Sequence, residues 1–325
     1  MCRTGPIRAP FLYSKMLRNA VRESEGVMAA TILVTGATGK LGQRVVSRLL
    51  QKEAEVRVLT RRREDALKLW GDRVEIAEGN FSDPASLKEA ARRIDRVFLL
   101  SPIGETLAAD QRAVIDAALS AGVSRIVKIS GSDWTIRNAA RSISGAAHAE
   151  VERHLAESGI AHTVLRPNAW MQVALEPVVA ALRKGEDVPS RFGNAAVSFI
   201  DADDIADVAV HALISSAPVS GTFVLTGGEA LTALEIARIA ARILHRPVGV
   251  SHNAAPAFPP HIGAFEQKAI GEFGQLIREN LAASVNDIIQ QTTGRLPRSV
   301  EDYLRARLAA AAPQGDNSEG EKTWR

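Results

Sequence analysis

The sequence predicts an α/β fold, a Rossmann-type doubly wound parallel sheet with a smaller C-terminal α+β substrate lobe, and three observations carry that expectation. From Thr31 onward, short β-branched runs alternate with stretches of helical period, the pattern of parallel strands joined by crossover helices. The first such run leads directly into Gly36-Ala-Thr-Gly39-Lys-Leu-Gly42, a glycine loop between a strand and a helix, where a phosphate-binding turn belongs. Beyond Pro167 the strict alternation loosens, as expected of a lobe built over the carboxyl ends of the strands.

The elements follow in order. A first strand covers 31–35, and Leu41, Val45, Val46, Leu49 and Leu50 recur at helical spacing after the loop. Further strands are expected over 55–60, 74–77 and 96–100, the last nearly all apolar and so buried on both faces. Ser82-Asp83-Pro84 marks a helix start, with a capping side chain followed by a proline whose missing N–H is harmless there. A helix over 106–121 closes at Gly122, a strand covers 125–130, a helix over 146–158 closes at Gly159, and a sixth strand covers 161–165. The lobe is expected to hold a helix over 170–184, a strand over 195–200, a helix over 203–215, a strand over 222–226, a helix over 232–244 and a strand over 247–251. Thr232 and Glu235 form a capping box for the third of those helices. Two more are expected over 264–291 and 300–311, the latter opened by Ser299 with Asp302 three residues on. The domain boundaries read as a leader over 1–27, a nucleotide-binding domain over 28–167, a lobe over 168–312 interleaved with the sheet, and a polar, frayed tail over 313–325.

Charge narrows the function. The chain of 325 residues carries 40 basic and 37 acidic side chains, a formal net charge of +3. The leader holds Arg3, Arg8, Lys15, Arg18 and Arg22 against Glu23 and Glu25, so the remainder is left with 35 of each sign. A general nucleic-acid surface is therefore disfavoured. Met28 stands where such domains commonly start, and the leader is expected to be disordered or an artefact of the start site, with a basic targeting arm as the alternative. Cys2 is the sole cysteine, so an intrachain disulfide, a thiolate metal site and a cysteine nucleophile within the fold are excluded. No run reaches the roughly 18 apolar residues of a membrane span, and the leader lacks a secretory apolar block; a cytoplasmic location is expected, with no metal, and a homodimer stays open.

The glycine loop names the ligand class. Gly36 permits a tight turn, Gly39 lets the backbone approach a pyrophosphate and Gly42 allows close helix packing, while the helix start offers free N–H groups to the anion. Thr38, Lys40 and Leu41 belong to the same cradle. Its spacing is G-x-x-G-x-x-G rather than G-x-G-x-x-G, which favours the short-chain and extended reductases. Where an NAD-specific strand end would place an acid, this chain has Arg61-Arg62-Arg63. Guanidinium suits a ribose 2′-phosphate by charge and planar geometry, so NADPH is favoured and NADH stays open. Asn80 and Phe81 are placed to flank an adenine, Asn80 through its carbonyl oxygen, and Ser101, Pro102 and Ile103 to lie beside the pyrophosphate and nicotinamide ribose. Ser130 and Asn168 end the next two strands on the same side.

The proton donor is less obvious. Tyr-x-x-x-Lys dehydrogenases lower a phenol's pKa with a nearby ammonium, but the two tyrosines here are Tyr13 and Tyr303, in the leader and the last helix. His148 is the remaining candidate, a donor near neutral pH on a helix whose Val151 and Leu155 face the core; an ordinary backbone-bonded histidine is the alternative. Trp170 and Met171, with Asn168, are candidates to line an aromatic-accepting pocket.

These residues carry a family resemblance. The loop 36–42, Arg61, His148-Ala-Glu-Val-Glu-Arg-His-Leu-Ala-Glu-Ser-Gly159, Thr163-Val-Leu-Arg-Pro-Asn168, the run from Val197 to Asp207, the run from Thr222 to Gly227 and that from Thr293 to Tyr303 together resemble the NmrA-like atypical short-chain reductases. They are most similar to the bacterial NAD(P)H:quinone oxidoreductases and the triphenylmethane and azo dye reductases. The resemblance covers about residues 31–307. It implies a bilobal protein with NADP(H) at the glycine loop and Arg61, a substrate cleft between the lobes and a small aromatic acceptor. Plant isoflavone-reductase relatives carry a catalytic lysine at the His148 position, so lignan-type chemistry is put in doubt. Some family members are sensors of the nicotinamide redox state that bind a transcription factor, which leaves a non-catalytic regulator as the alternative to a reductase.

Overall fold

Seven strands form one parallel sheet in the computed structural model, which describes residues 30–252 and 262–309. The leader 1–27 and the tail 313–325 lie outside the described residues, as do Cys2 and Tyr13. The chain runs β1 (Thr31–Val34), α1 (Lys40–Gln51), β2 (Glu55–Thr60), α2 (Arg63–Trp70), β3 (Glu75–Glu78), α3 (Pro84–Ala91), β4 (Arg96–Leu99), α4 (Leu107–Ser120), β5 (Arg125–Ile129), α5 (Asp133–Arg137), α6 (Ile143–Glu157) and β6 (Ala161–Pro167). It continues through α7 (Met171–Ala174), α8 (Glu176–Arg183), β7 (Val188–Pro189), α9 (Ala202–Ile214), β8 (Gly221–Leu225), α10 (Ala233–Leu244), β9 (Val250–Ser251), α11 (Ala264–Arg278), α12 (Ile288–Thr293) and α13 (Val300–Ala309).

The strand order is β3-β2-β1-β4-β5-β6-β8, and every ladder is parallel. The order reverses between β1 and β4, which opens a crevice at their carboxyl ends, where ligands of such sheets bind. One apolar cluster packs α1, α2 and α9 on one face, and a second packs α3, α4 and α6 on the other. A third holds the lobe together through α8, α10 and α13.

The local signals act as expected. Asp83 accepts from the Ala85 N–H at 3.0 Å ahead of Pro84, Thr232 and Glu235 close a reciprocal capping box, and the Ser299 hydroxyl accepts from the Asp302 N–H at 3.0 Å. Elsewhere tertiary partners override periodicity. The expected strand over 195–200 forms isolated bridges only, because its N–H groups go to three different partners: Val197 to Leu231, Ser198 to Ala282 and Ile200 to Ala169. The expected helix over 264–291 ends at Arg278, two residues before Asn280, whose φ of 62° is left-handed, and resumes at Ile288. The stretch between them supplies the Ala282 and Ser284 carbonyls to Ser198. The helix over 170–184 breaks at Leu175 into α7 and α8, with Pro177 in the first turn of α8. The strand over 247–251 shrinks to β9, paired with the unexpected β7. Helices α2 and α5 were not legible as helices, and the strand expected over 222–226 proves to be β8, the seventh strand of the main sheet.

An ionic clamp joins the last segment to the sheet. Asp204 on α9 is fully buried and takes Arg295 at 2.8 Å, the Arg298 guanidinium and the Arg298 N–H at 2.8 Å. Asp207, one turn on, pairs with Arg295 and with Arg48 of α1 at 2.5 Å, and Asp203 pairs with Arg48 at 2.7 Å. At the far end of α9, Arg125 donates to the carbonyls of Ala212 at 2.9 Å and Ser215 at 2.8 Å, and Arg96 to that of Leu213. Cations there complement the negative end of the helix dipole.

Asp204→Asn removes the charge but keeps the shape. It leaves two guanidiniums short of their carboxylate and is expected to cost about 3 kcal/mol, the low end for a broken buried pair because both arginines reach water. Urea unfolding should show a clearly lower midpoint at unchanged slope; an unchanged midpoint would mean that the clamp is energetically idle.

Candidate functional site

An open cleft of about 2290 Å³ runs along the carboxyl ends of the strands and beneath the lobe. Drug-sized ligand pockets usually measure roughly 300–1,000 Å³, so this cleft has room for a dinucleotide and a second molecule. Gly36, Thr38, Gly39, Lys40, Leu41, Arg61, Asn80, Phe81, Ser101, Pro102, Ile103, Ser130, His148, Asn168 and Trp170 all line it. Two expected site residues do not. Gly42 packs inside the loop, where a Cβ would stand 2.1 Å from the Gly36 carbonyl oxygen. Met171, expected in the acceptor pocket, is instead buried with Leu175, Val178 and Val179 in the lobe core, at the start of α7, where its N–H is held by the Ile200 carbonyl at 2.9 Å.

The loop end of the cleft is an anion cradle. Helix α1 begins at Lys40 behind Gly39, with no side-chain cap and no acid in its first turn. Its first N–H groups therefore keep no partner from the helix ladder, at the positive end of the dipole. The Lys40 ammonium is drawn away to the Gln172 carbonyl at 3.0 Å. The three arginines are not equivalent. Arg61 and Arg62 both line the cleft, but Arg62 pairs with Asp65 at 2.6 Å whereas Arg61 has no partner among the described residues; Arg63 reaches the Ile76 carbonyl at 3.4 Å and lies outside the cleft. Across from it, the Asn80 carbonyl oxygen accepts from both the N–H and the hydroxyl of Ser82, at 2.9 and 2.6 Å. The expectation that this oxygen is offered to an adenine amine is thus corrected: the turn into α3 uses it.

The other end is walled by aromatic rings. Trp134, Trp170, Phe192 and Phe273 line it, and Trp134 meets Phe273 edge-on at 5.9 Å between centroids. Asn168 is buried and fully engaged. Its oxygen accepts from the Trp134 indole N–H at 2.6 Å, and its amide donates to Ser198 at 2.5 Å and to the Ala282 carbonyl at 2.8 Å. Its side chain holds the Trp134 ring rather than a ligand. Ser101 accepts from Gln111 at 2.9 Å.

Between these ends sits a buried polar chain. Lys128 contacts His148 Nδ1 at 3.1 Å and donates to Ser130 Oγ at 3.0 Å; Ser130 donates to Glu152 at 2.5 Å. Arg166 pairs with Glu152 and with Asp133 at 2.7 Å. Burial first, and the Lys128 charge second, hold His148 well below the ordinary imidazole range. The ring is thus neutral near pH 7, which corrects the expectation of a donor that titrates there. The Ser130 hydroxyl is spent on this chain rather than presented to a ligand. Tyr303 donates its phenol proton to Glu176 at 2.9 Å from within the lobe core.

Sequence reasoning missed Lys128, Glu152, Trp134 and Phe273. A charge inside the apolar run Arg125-Ile-Val-Lys-Ile129 was the signal available for Lys128; the two rings gave none, since their meeting depends on packing between α5 and α11. Among the described residues, no cluster of three His, Cys, Asp or Glu side chains could hold a metal, and no helix is long and apolar enough to cross a membrane.

The profile of the NmrA-like family matches residues 28–304. A (4-alkanoyl-5-oxo-2,5-dihydrofuran-3-yl)methyl phosphate reductase of Streptomyces griseus is 34% identical over 292 residues, which cover 87% of this chain and 100% of that protein. An NAD(P)H azoreductase of Xenophilus azovorans is 31% identical over 86% of this chain and 98% of its own length. Among solved structures, the triphenylmethane reductase of a Citrobacter species superposes with a TM-score of 0.75 at 21% identity, covering 86% of this chain and 99% of that one. The NADPH-dependent quinone oxidoreductase of Escherichia coli, complexed with NADPH, gives 0.74 at 21% identity over 85% and 99%.

The loop geometry separates two glycines. At Gly42 an added Cβ would meet Gly36 O at 2.1 Å and Ala37 atoms under 3 Å, whereas at Gly39 its nearest neighbour is Gly36 O at 3.2 Å. Gly42→Ala should therefore lower the melting temperature by several degrees, in the range of about 1–3 kcal/mol for overpacking, and Gly39→Ala should leave it nearly unchanged. Equal melting of the two variants would show that the loop is not packed as described.

Proposed function

The chain belongs to the NmrA-like family, and on that premise we propose that it is an NADPH-dependent reductase that passes hydride to a planar, electron-poor acceptor such as a quinone or an azo compound. One observation carries this reading: a single cleft joins the uncapped start of α1 and Arg61, unpartnered among the described residues, to an aromatic-walled recess beside a neutral histidine. The relatives named for azo, quinone and furanone-phosphate reduction support the reaction class.

The donor set fits a dinucleotide phosphate. The N–H groups at the start of α1 would hold the pyrophosphate, and Arg61, close to the end of β2, would hold the 2′-phosphate. When bound, the dihydronicotinamide supplies the hydride. Trp134 and Trp170 would orient the acceptor, and orientation carries much of the rate when the arriving charge spreads over a conjugated system. His148 Nε2 has no partner among the described residues and would donate to the acceptor atom on which charge develops.

Steady NADPH oxidation against a panel of quinones and azo dyes is the direct test. Tight NADPH binding without turnover on any acceptor would overturn the reductase reading in favour of a redox sensor. Gly39→Val places an isopropyl group where the pyrophosphate must approach, and fluorescence titration should show NADPH binding lost while the protein stays folded. Arg61→Ala should weaken NADPH by about tenfold, the modest value expected of a charge-assisted contact that water screens, and leave NADH within twofold. Arg62→Ala, already paired with Asp65, should change neither. A wild-type protein that prefers NADH would sink the 2′-phosphate assignment.

A further inference from the structure

Lys128 is a buried cation in a position that packing alone does not call for. Its strand, β5, is buried along its whole length, and the side chain has no exposure at all. An apolar residue would fill the site without desolvating a charge. The ammonium nevertheless has all three of its donors met, by the Ile129 carbonyl at 3.3 Å, Ser130 Oγ at 3.0 Å and His148 Nδ1 at 3.1 Å. Titratable and charged groups face it from α6 and β6. His148 and Glu152 come from α6, and Arg166 comes from β6, itself paired with Glu152 and with Asp133 of α5. Burial pushes its pKa down to about 7, against the pull of Glu152 and with the push of Arg166.

The geometry fixes what His148 can do. With Nδ1 accepting from Lys128, the ring proton lies on Nε2, and the ring lines the cleft. A neutral imidazole that gave up this proton alone would become an imidazolate, far too strong a base to form unaided. It can serve as a donor only if Nδ1 gains a proton as Nε2 loses one. A side chain able to supply that proton already sits 3.1 Å away.

We propose that Lys128 is the positioning residue of this site, holding His148 as the Nε2–H tautomer and delivering a proton to Nδ1 as the Nε2 proton leaves for the acceptor. The inference rests on the reductase reading. The proton balance closes. The acceptor gains the hydride electron pair and one proton; the Nε2–H bond breaks, an N–H bond forms at Nδ1, and an N–H bond of Lys128 breaks to leave a neutral amine. After product leaves, Nε2 takes a proton from water in the cleft and the Nδ1 proton returns to the Lys128 amine. Glu152 remains a carboxylate throughout and balances the ammonium through Ser130.

The test uses Lys128→Met, which keeps the length and removes the proton. In wild type, the single-turnover rate with a quinone should fall above about pH 7, as the ammonium is lost. In Lys128→Met that break should vanish, with a flat rate about tenfold to a hundredfold lower at pH 6, a fraction of the usual general-acid contribution, and NADPH affinity within twofold. Ring ¹⁵N NMR near pH 7 should show His148 of wild type as neutral Nε2–H, and Lys128→Met should lose that tautomer preference. Should the Met variant fail to fold, Lys128→Arg serves instead: it can still donate to Nδ1 but holds its proton, so the tautomer should stay while the rate becomes low and flat. A wild-type ring protonated on Nδ1, or a variant that keeps both the rate and the pH break, overturns the proposal. If wild type reduces no acceptor, the reductase reading fails by itself, and the ring spectrum still decides the Lys128 assignment.

Discussion

The carboxylate of Asp204 is buried without solvent contact, and the attachment of the C-terminal segment to the sheet is organised around it. It faces two guanidiniums and one backbone N–H, three donors that converge on its two oxygens. Because α9 also carries Asp203 and Asp207, the same helix grips Arg48 of α1, the helix whose start forms the anion cradle. One face of α9 thus joins the cradle, the sheet and the chain leading to the last helix. Arg96 and Arg125 hold its opposite end to β4 and β5.

Several of the most recognisable segments turn out to be structural. The run from Val197 to Asp207 supplies the clamp acids, and that from Thr293 to Tyr303 supplies their arginines. Asn168 spends its whole amide on Trp134, Ser198 and Ala282, holding α5, the 195–200 stretch and the loop after α11 in register. A residue can therefore be characteristic of a family and lie at the cleft without offering a polar atom to a ligand.

The polar chain through Lys128 has a different character. A charge fully enclosed in a parallel sheet is costly unless paired and hydrogen-bonded, and here Glu152, Ser130 and His148 provide that pairing within one turn of α6 and one strand end. Gly131 lies against the ring, where a Cβ would come within 2.8 Å of His148 Cδ2. The histidine is fixed from both sides, and the residue lines the cleft.

What the sequence determined by itself was whatever depends on neighbours in the chain. The alternation of strand and helix, the glycine loop, the caps at Asp83, Thr232 and Ser299, and the placement of Arg61 after β2 are local, and each is set by backbone sterics or by hydrogen bonds within a few residues. The tertiary structure alone decided which of three consecutive arginines is without a partner among the described residues, that Met171 faces the core, that the Asn80 oxygen is used by Ser82, and that the helix expected over 264–291 is interrupted after Arg278. It also decided that Lys128 meets His148 across 20 residues of chain. These outcomes depend on partners remote in sequence: the same side chain is a ligand donor, a core residue or a strut according to which carbonyl or carboxylate the fold brings within 3 Å, and hydrogen bonds of that range have no periodicity for a sequence to display.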